Sequence, residues 1–366
     1  MASTAPKPLA CLDAIEPYKG GEAKLKGFDT TMKLSSNENA LGPSPAAKAA
    51  FAAAVDNLHI YPEGAATALR GAIASRYRLE AGRIITAAGS DEIFQLLARA
   101  YLAPGDEIVQ SQYAFLIYRL AAQQSGAITR AAADVNYKAD VDAMLALVGP
   151  KTKIVFLANP NNPTGTYLPI SEVRRLHAGL PKDVLLCLDA AYAEYVTAHD
   201  YEAGMELAGQ NDNVIITRTF SKIHGLAALR VGWGYGAPGV IEALHKVRGP
   251  FNVSTPAQLA ARAAIDDMRH ADESRDENAS ELARVVQRLC GLGYDVTPSV
   301  CNFVLVHFPD APGKSAKDAD AALRQRGVIV RAVAAYGLPH ALRISIGRPD
   351  ENNIVLEALE AFAGQA

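Results

Sequence analysis

Residues 218–236 read "RTFSKIHGLAALRVGWGYG". The apolar run Val214, Ile215, Ile216 leads straight into them, so an apparent strand ends on Thr219, Ser221 and the amine of Lys222. A second cation, Arg230, follows eight positions later and precedes small residues around the only tryptophan. Apolar strands without alternation are buried on both faces, as in a mostly parallel sheet covered by helices. In such sheets ligands bind beyond the carboxyl ends of the strands. The stretch is therefore either a surface turn or a site for an anion beside an amine nucleophile.

The same texture extends upstream. "RIITAAGS", "DEIVQS", "GAITRA", "KIVFLANP", "VLLCLDAAY" and "NVIITRTFS" are strand candidates that precede "LRVGWGYG". "SDEIFQLLARAYL" and "SEVRRLHAGL", between them, carry helical spacing. "SPAAKAAFAAAVDN" predicts a helix with Ser44 as N-cap and Pro45 in its first position. Before it, residues 1–44 are rich in Gly, Pro, Ser and Asn without a helical period and read as an extended arm. After "RGPFNVSTPAQ" a charged helical region covers about 255–290, followed by the short strands "CNFVLVHF", "GVIVRA" and "LRISIG" with helices between and after them. The expected fold class is α/β: a large domain, 45–254, with a mostly parallel sheet flanked by helices, and a smaller α+β domain, 255–366. The arm, 1–44, is expected to join the small domain.

Bulk properties narrow the function. At 366 residues the chain is long enough for two lobes. Hydrophobic content of 49% with 20% charged residues is that of an ordinary folded protein. A net charge of −3 carries no electrostatic footprint for nucleic acid or an anionic membrane, so the expected partners are small molecules. The four cysteines are far apart and form no CxxC pair, which argues against a disulfide framework or metal site and fits a reducing compartment. No signal-peptide pattern or membrane-length apolar run is evident, and a cytoplasmic location is expected.

Four strand ends carry polar clusters: "AAGSDE", "ANPNNPTG", "LDAAY" and "TRTFSK". Asp189 ends an apolar strand, where a carboxylate needs a partner. It is either a helix cap or structural ion pair, or a counter-charge for a bound cation. Lys222 is either a solvated surface residue or an amine with a lowered pKa that forms a Schiff base. Thr219, Ser221, Arg230 and the Gly89–Ser90 strand-to-helix junction would make an anion cradle. One ligand uses an amine, a carboxylate and an anion cradle together. Pyridoxal 5′-phosphate offers an aldehyde, a ring nitrogen and a phosphate, and a lysine Schiff base with an Asp at the ring nitrogen is its protein signature.

With these residues in view, the chain resembles the fold-type-I pyridoxal-phosphate aminotransferases, and within them the histidinol-phosphate aminotransferase family. The resemblance runs nearly end to end through "PYKGG", "SSNENALGPSP", "YPEG", "GSDEIFQLLARAYLAPGDEIV", "SQYAFLIY", "NPNNPTG", "LDAAYAEY", "TFSKIHGLAALRVGW", "PFNV" and "LRISIG". It implies that Lys222 carries the cofactor, that Asp189 pairs with its ring nitrogen, and that Asn162 and Tyr192 bond its phenolic oxygen. Tyr113 would stack on the ring, while Gly89, Ser90, Thr219, Ser221 and Arg230 hold the phosphate. Tyr61 would come from a neighbouring subunit, which implies a homodimer with shared active sites. Tyr18, Arg331 and Arg343 would lie at the substrate end, with Arg343 grasping a carboxylate. The implied reaction moves an amino group from L-histidinol phosphate to 2-oxoglutarate. Ala190, Ala40 and His224 depart from the residues common in the family, and none removes a group the chemistry requires.

Other activities stay open at this point. An aromatic amino acid aminotransferase, or a decarboxylase acting on a phosphorylated amino acid, would share the cofactor constellation. An NAD-dependent dehydrogenase is disfavoured, because Gly232, Gly234, Gly236 and Gly239 lack the G-x-G-x-x-G spacing and no acidic strand end follows.

Overall fold

The computed structural model describes residues 6–13, 15–16 and 22–364. The arm contributes a two-residue strand, β1 (Met32–Lys33). The next seven strands in the chain are β2 (Ile84–Ala87), β3 (Glu107–Ser111), β4 (Ile128–Ala132), β5 (Thr152–Ala158), β6 (Leu185–Asp189), β7 (Val214–Thr219) and β8 (Gly232–Gly236). They form one sheet in the order β2-β8-β7-β6-β5-β3-β4. All are parallel except β8, which runs antiparallel to both of its neighbours. These are the seven strands expected from the sequence. β4, at the sheet edge, is the most exposed of them, and β5 is buried except at Lys153 and Ala158, which are half-buried.

Helices cover both faces: α1 (Pro45–Ala52), α2 (Thr67–Tyr77), α3 (Ser90–Tyr101), α4 (Leu116–Gln124), α5 (Val141–Ala146), α6 (Ile170–Ala178), α7 (Met205–Gln210) and α8 (Pro238–Val247). The N-cap of α1 is as expected: the Ser44 hydroxyl accepts from Ala47 N–H at 3.1 Å and Pro45 takes the first position. The glycines of β8 explain the small residues around the tryptophan. A Cβ on Gly232 would lie 2.6 Å from the Ser90 nitrogen, so only glycine lets the start of α3 approach the sheet this closely. The alternate residues Trp233 and Tyr235 point to the opposite face, where Tyr77 of α2 meets the indole at 5.3 Å.

The charged region after 255 is two helices, α9 (Thr255–Asp266) and α10 (Met268–Gly291), separated at Asp267, whose carboxylate caps α10. The alanine face of α9 (Ala257, Ala260, Ala261, Ala264) packs into the core of the large sheet. We propose on that packing that α9 goes with the large unit and that the division falls near Asp267 rather than at the expected 254/255. Beyond it, β9 (Asp295–Thr297), β10 (Phe303–His307), β11 (Val328–Ile329), β12 (Arg331–Ala332) and β13 (Ala341–Ser345) alternate with α11 (Ala316–Gln325) and α12 (Pro349–Gly364). An antiparallel sheet runs β12-β13-β10-β9, while β1 of the arm pairs in parallel with β11. Along β13, Leu342 and Ile344 face a second core with Leu34, Val304 and Val306. Period-two alternation therefore turns Arg343 and Ser345 to the other face.

Candidate active site

Strand register brings the sequence-predicted residues together. In the parallel ladder β5-β6-β7, Ala158 pairs with Asp189 and Asp189 with Thr217, so three carboxyl ends lie side by side. Because β8 is antiparallel, its first residue, Gly232, sits between Thr219 and Ala87. The Gly89–Ser90 junction is thereby carried to the same end of the sheet. A cleft with a cavity volume of about 170 Å³ opens there. Its walls include Ser90, Asn162, Asp189, Tyr192, Thr219, Ser221, Lys222 and Arg230 from the large unit, and Arg331 and Arg343 from the small sheet.

Asp189 is buried, yet its carboxylate is fully engaged. Oδ2 accepts from the Tyr118 hydroxyl at 2.5 Å, and Oδ1 accepts from Thr217 Oγ1 and Ala191 N–H, each at 3.2 Å. Burial raises its pKa to about 6 against the pull of the Tyr118 bond. Tyr118 is itself fully buried, stacked on Phe156 at 4.7 Å, and its hydroxyl is pushed far above the usual phenol range by burial and by Asp189. It is thus a permanent donor to Asp189. Neither a cap nor an ion pair accounts for Asp189, which leaves its carboxylate as a fixed anion on the cleft floor.

Lys222 is not a solvated residue. Its ammonium donates to the Ser36 carbonyl at 3.0 Å and lies 5.6 Å from the Tyr192 ring centre. Burial, and then the charge of Arg343, lower its pKa to about 8. A fraction of the amine is therefore unprotonated and nucleophilic near neutrality. Tyr192 is buried, and burial holds its hydroxyl well above the ordinary phenol range.

The anion cradle forms around α3. Gly89 adopts φ +82° as its N-cap, leaving the first N–H groups of the helix directed outward. Ser221 Oγ accepts from Arg230 Nη1 at 3.2 Å, and Arg230 Nη2 reaches Asp91 at 3.4 Å. A Cβ on Gly89 would collide with Arg230 Nη2, so this glycine makes room for the guanidinium. Thr219 Oγ1 accepts from Ser221 N–H and fixes the turn that leads into Lys222.

The loop "NPNNPTG" is held by its own side chains: Asn159 clasps Leu168, and Asn161 bonds Thr164 Oγ1 and the Tyr113 carbonyl. Asn162, thereby presented to the cleft, accepts a hydrogen bond from Arg343. Arg343 is buried, bonds the Ser35 carbonyl at 2.7 Å and keeps Nε without a partner. Arg343 is thus no surface charge. Arg331 stands directly opposite Arg343 on the neighbouring antiparallel strand, so two guanidinium groups share one wall.

Three expected residues are not among the walls of this cleft, and one of them, Tyr61, is expected to serve a neighbouring subunit. Tyr113 packs on Tyr137 at 5.8 Å and in the cluster that includes the cleft-lining Tyr336, while Phe115, two residues on at the N-cap of α4, lines the cleft. Tyr61 is 80% exposed and stacks on Phe251, away from the cleft of its own chain. Tyr18 lies outside the described residues. Sequence reasoning missed Tyr118, Thr217, Phe115 and the arm residues Ser35, Ser36 and Asn37, although the quoted motifs "SQYAFLIY" and "SSNENALGPSP" contain most of them. Ala190, Ala40 and His224 stay outside the cleft lining; His224 packs on Phe220, and burial lowers its pKa to about 4, so it is neutral. Gly232, Gly234 and Gly236 lie inside β8, where no dinucleotide-binding turn exists.

Comparison with known proteins agrees with this geometry. Residues 29–359 match the family model for aminotransferases of class I and II. A histidinol-phosphate aminotransferase of Maricaulis maris is 56% identical over 97% of this chain and 98% of its own length. One from Rhodopseudomonas palustris is 53% identical over 96% of both chains. The crystal structure of histidinol-phosphate aminotransferase from Sinorhizobium meliloti, in complex with pyridoxal-5′-phosphate, superposes with a TM-score of 0.92 at 26% identity, covering 99% of each chain. Among the described residues no group of side chains could hold a metal ion, and no helix is long and apolar enough to cross a membrane.

Proposed function

The chain belongs to the class I and II aminotransferases, which are pyridoxal-phosphate enzymes, and we propose that it transfers the amino group of L-histidinol phosphate to 2-oxoglutarate. The products are imidazole-acetol phosphate and glutamate. The observation that carries this choice is the register pair Arg331 and Arg343, two guanidinium groups on one wall of the cleft that also holds Lys222. A planar guanidinium grips a carboxylate or a phosphate through parallel hydrogen bonds. One pocket can therefore take glutamate in one half-reaction and a phosphorylated amine in the other.

The residues present fit the cofactor. Asp189 offers an anion for the ring nitrogen, Tyr192 and Asn162 offer donors for the phenolic oxygen, and Phe115 offers a ring face. Ser90, Thr219, Ser221 and Arg230, with the N–H groups past Gly89, would hold the phosphate. When bound there, the cofactor supplies an aldehyde for amines and a ring that accepts electrons from the substrate carbon. Lys222 provides the amine that anchors it; once displaced by substrate, Nζ takes and returns the proton at the substrate Cα. Asp189 keeps a proton on the ring nitrogen through its charge. Arg343 and Arg331 orient the substrate, and Phe115 and Tyr336 close the cleft's apolar side.

A second copy completes the site in this reading. Phe51, Val55, Leu58, Ile60, Tyr61 and Phe251 are exposed apolar residues at and near the turn after α1. Single exposed apolar residues are ordinary, but a group of this kind marks an interface. A homodimer that covers them would deliver Tyr61 to the partner's cleft.

An amino-donor panel against 2-oxoglutarate tests the assignment, run with the wild type and Arg331→Ala. Turnover of histidinol phosphate should fall roughly tenfold or more, the effect of losing a hydrogen bond to a charged group, while the glutamate half-reaction changes little. Small, equal losses together with fast phenylalanine or tyrosine turnover would assign an aromatic donor instead.

A further inference from the structure

Three consecutive arm residues each hold one group of the cleft. The Ser35 carbonyl accepts from Arg343, the Ser36 carbonyl from Lys222, and the Asn37 side chain donates from Nδ2 to the Tyr192 hydroxyl at 2.9 Å. Asn37 is 1% exposed and has φ +56°, a left-handed conformation that asparagine tolerates better than most residues. Its backbone is secured independently, because Asn302 Nδ2 donates to the carbonyls of Asn37 and Glu38.

A phenol has one proton to give, so the partner on its other side decides where that proton points. If the amide nitrogen of Asn37 faces Tyr192, the phenolic oxygen accepts there and its own proton is free for the cleft. If the amide were reversed, Tyr192 would donate to Asn37 Oδ1 and the cleft would lose a donor. Ser345 decides between the two. Its Oγ accepts from Asn37 N–H at 2.8 Å and donates to Asn37 Oδ1 at 3.1 Å. Reversing the amide would leave the Ser345 hydroxyl proton without that acceptor in a site 3% exposed, which is unfavourable. Ser345 lies two residues beyond Arg343 on the same face of β13, so the small sheet sets the direction of a proton on the large one.

We infer that Asn37, locked by Ser345, is a positioning residue that forces the Tyr192 hydroxyl to donate into the cleft. The inference rests on the reading that Tyr192 faces the cofactor's phenolic oxygen. A donor to that oxygen stabilises its negative charge and makes the nitrogen contributed by Lys222, which is conjugated with it, less basic. Loss of the donor makes that nitrogen more basic.

The test is a pH titration of the visible absorption band of the purified holoenzyme, which needs no turnover. Asn37→Asp keeps the shape but replaces the donor with an acceptor. The midpoint of the band should rise by about one to two pH units, the equivalent of one hydrogen bond to a charged group. The added carboxylate raises the midpoint by its charge as well, so the substitution is repeated in a Tyr192→Phe background. The shift there should be clearly smaller, because only the charge effect remains. Ser345→Ala should raise the midpoint in the same direction, and Ser345→Thr, which keeps the hydroxyl, should restore it. This second pair decides the matter if Asn37→Asp does not fold. Equal shifts from Asn37→Asp in both backgrounds, or an unshifted midpoint in Ser345→Ala, overturn the inference. If Tyr192→Phe alone leaves the midpoint unchanged, the placement of Tyr192 at the phenolic oxygen fails instead.

Discussion

Asp189→Asn should stabilise the cofactor-free protein while disabling the enzyme. The wild-type carboxyl has its pKa raised from 3.8 to about 6, mainly by burial. A group raised on folding favours the folded state while both states are protonated, below pH 3.8. That advantage is lost as pH rises through about 6, where the buried anion must form. Integrated between pH 4.5 and 7.5, the two values correspond to a loss of about 2 kcal/mol from this group. Asparagine has no charge to bury, and its Oδ1 can still accept from Tyr118 or Thr217. The stability difference, variant minus wild type, should therefore grow by ~2 kcal/mol over that range in urea unfolding of apoprotein at one protein concentration. With cofactor bound the order should invert, since the anion then has a cation beside it. A difference that stays flat with pH would show that burial does not strain Asp189.

Two further outcomes follow from the geometry. Gly89→Ala places a methyl group against Arg230 Nη2 in a backbone with φ +82°, so the flexible guanidinium must leave the cradle while the fold persists. Cofactor affinity by equilibrium dialysis should weaken roughly tenfold to a hundredfold, and unchanged affinity would mean that the cradle is misassigned. For Tyr61, mixing inactive Lys222→Ala with impaired Tyr61→Ala subunits should restore about a quarter of wild-type turnover, the share expected from random pairing with one intact shared site per mixed dimer. No recovery, once mass spectrometry has shown subunit exchange, would place Tyr61 outside the partner's site.

Legibility in the sequence extended to whatever a strand end or a period marks. Asp189, Thr219 and Lys222 follow uninterrupted apolar runs, so their common edge is readable from those runs alone, and the alternation in "LRISIG" places Arg343 opposite Leu342 and Ile344. The aromatic residues of the cleft wall could not be read in this way. Between the end of β3 at Ser111 and the start of α4 at Leu116, no period fixes side-chain direction, so the place of Phe115 in the cleft wall carries no sequence signal. Tyr118 looked like core because it is core, and only its hydroxyl touches Asp189. The packing of α9 was hidden for a related reason: charge on α10 marked a change of texture, but the alanines of α9 pack into the preceding core. Asn37 lies in an arm without periodicity, and its partner Ser345 is 308 positions away, a separation that no local pattern encodes.

The pairing of β1 with β11, Met32 beside Val328, also governs the order in which the molecule can be made. The arm leaves the ribosome well before the strand it joins is synthesised. At roughly 5–20 residues per second that is a wait of about 15–60 s, during which the large sheet can form while the arm is still unpaired. Ser35, Ser36 and Asn37 cannot take up Arg343, Lys222 and Tyr192 in their final arrangement until β13 has emerged. A nascent chain stalled before residue 340 would therefore carry a folded large sheet with an unfinished cleft, and the cleft is complete only once β13 has been made.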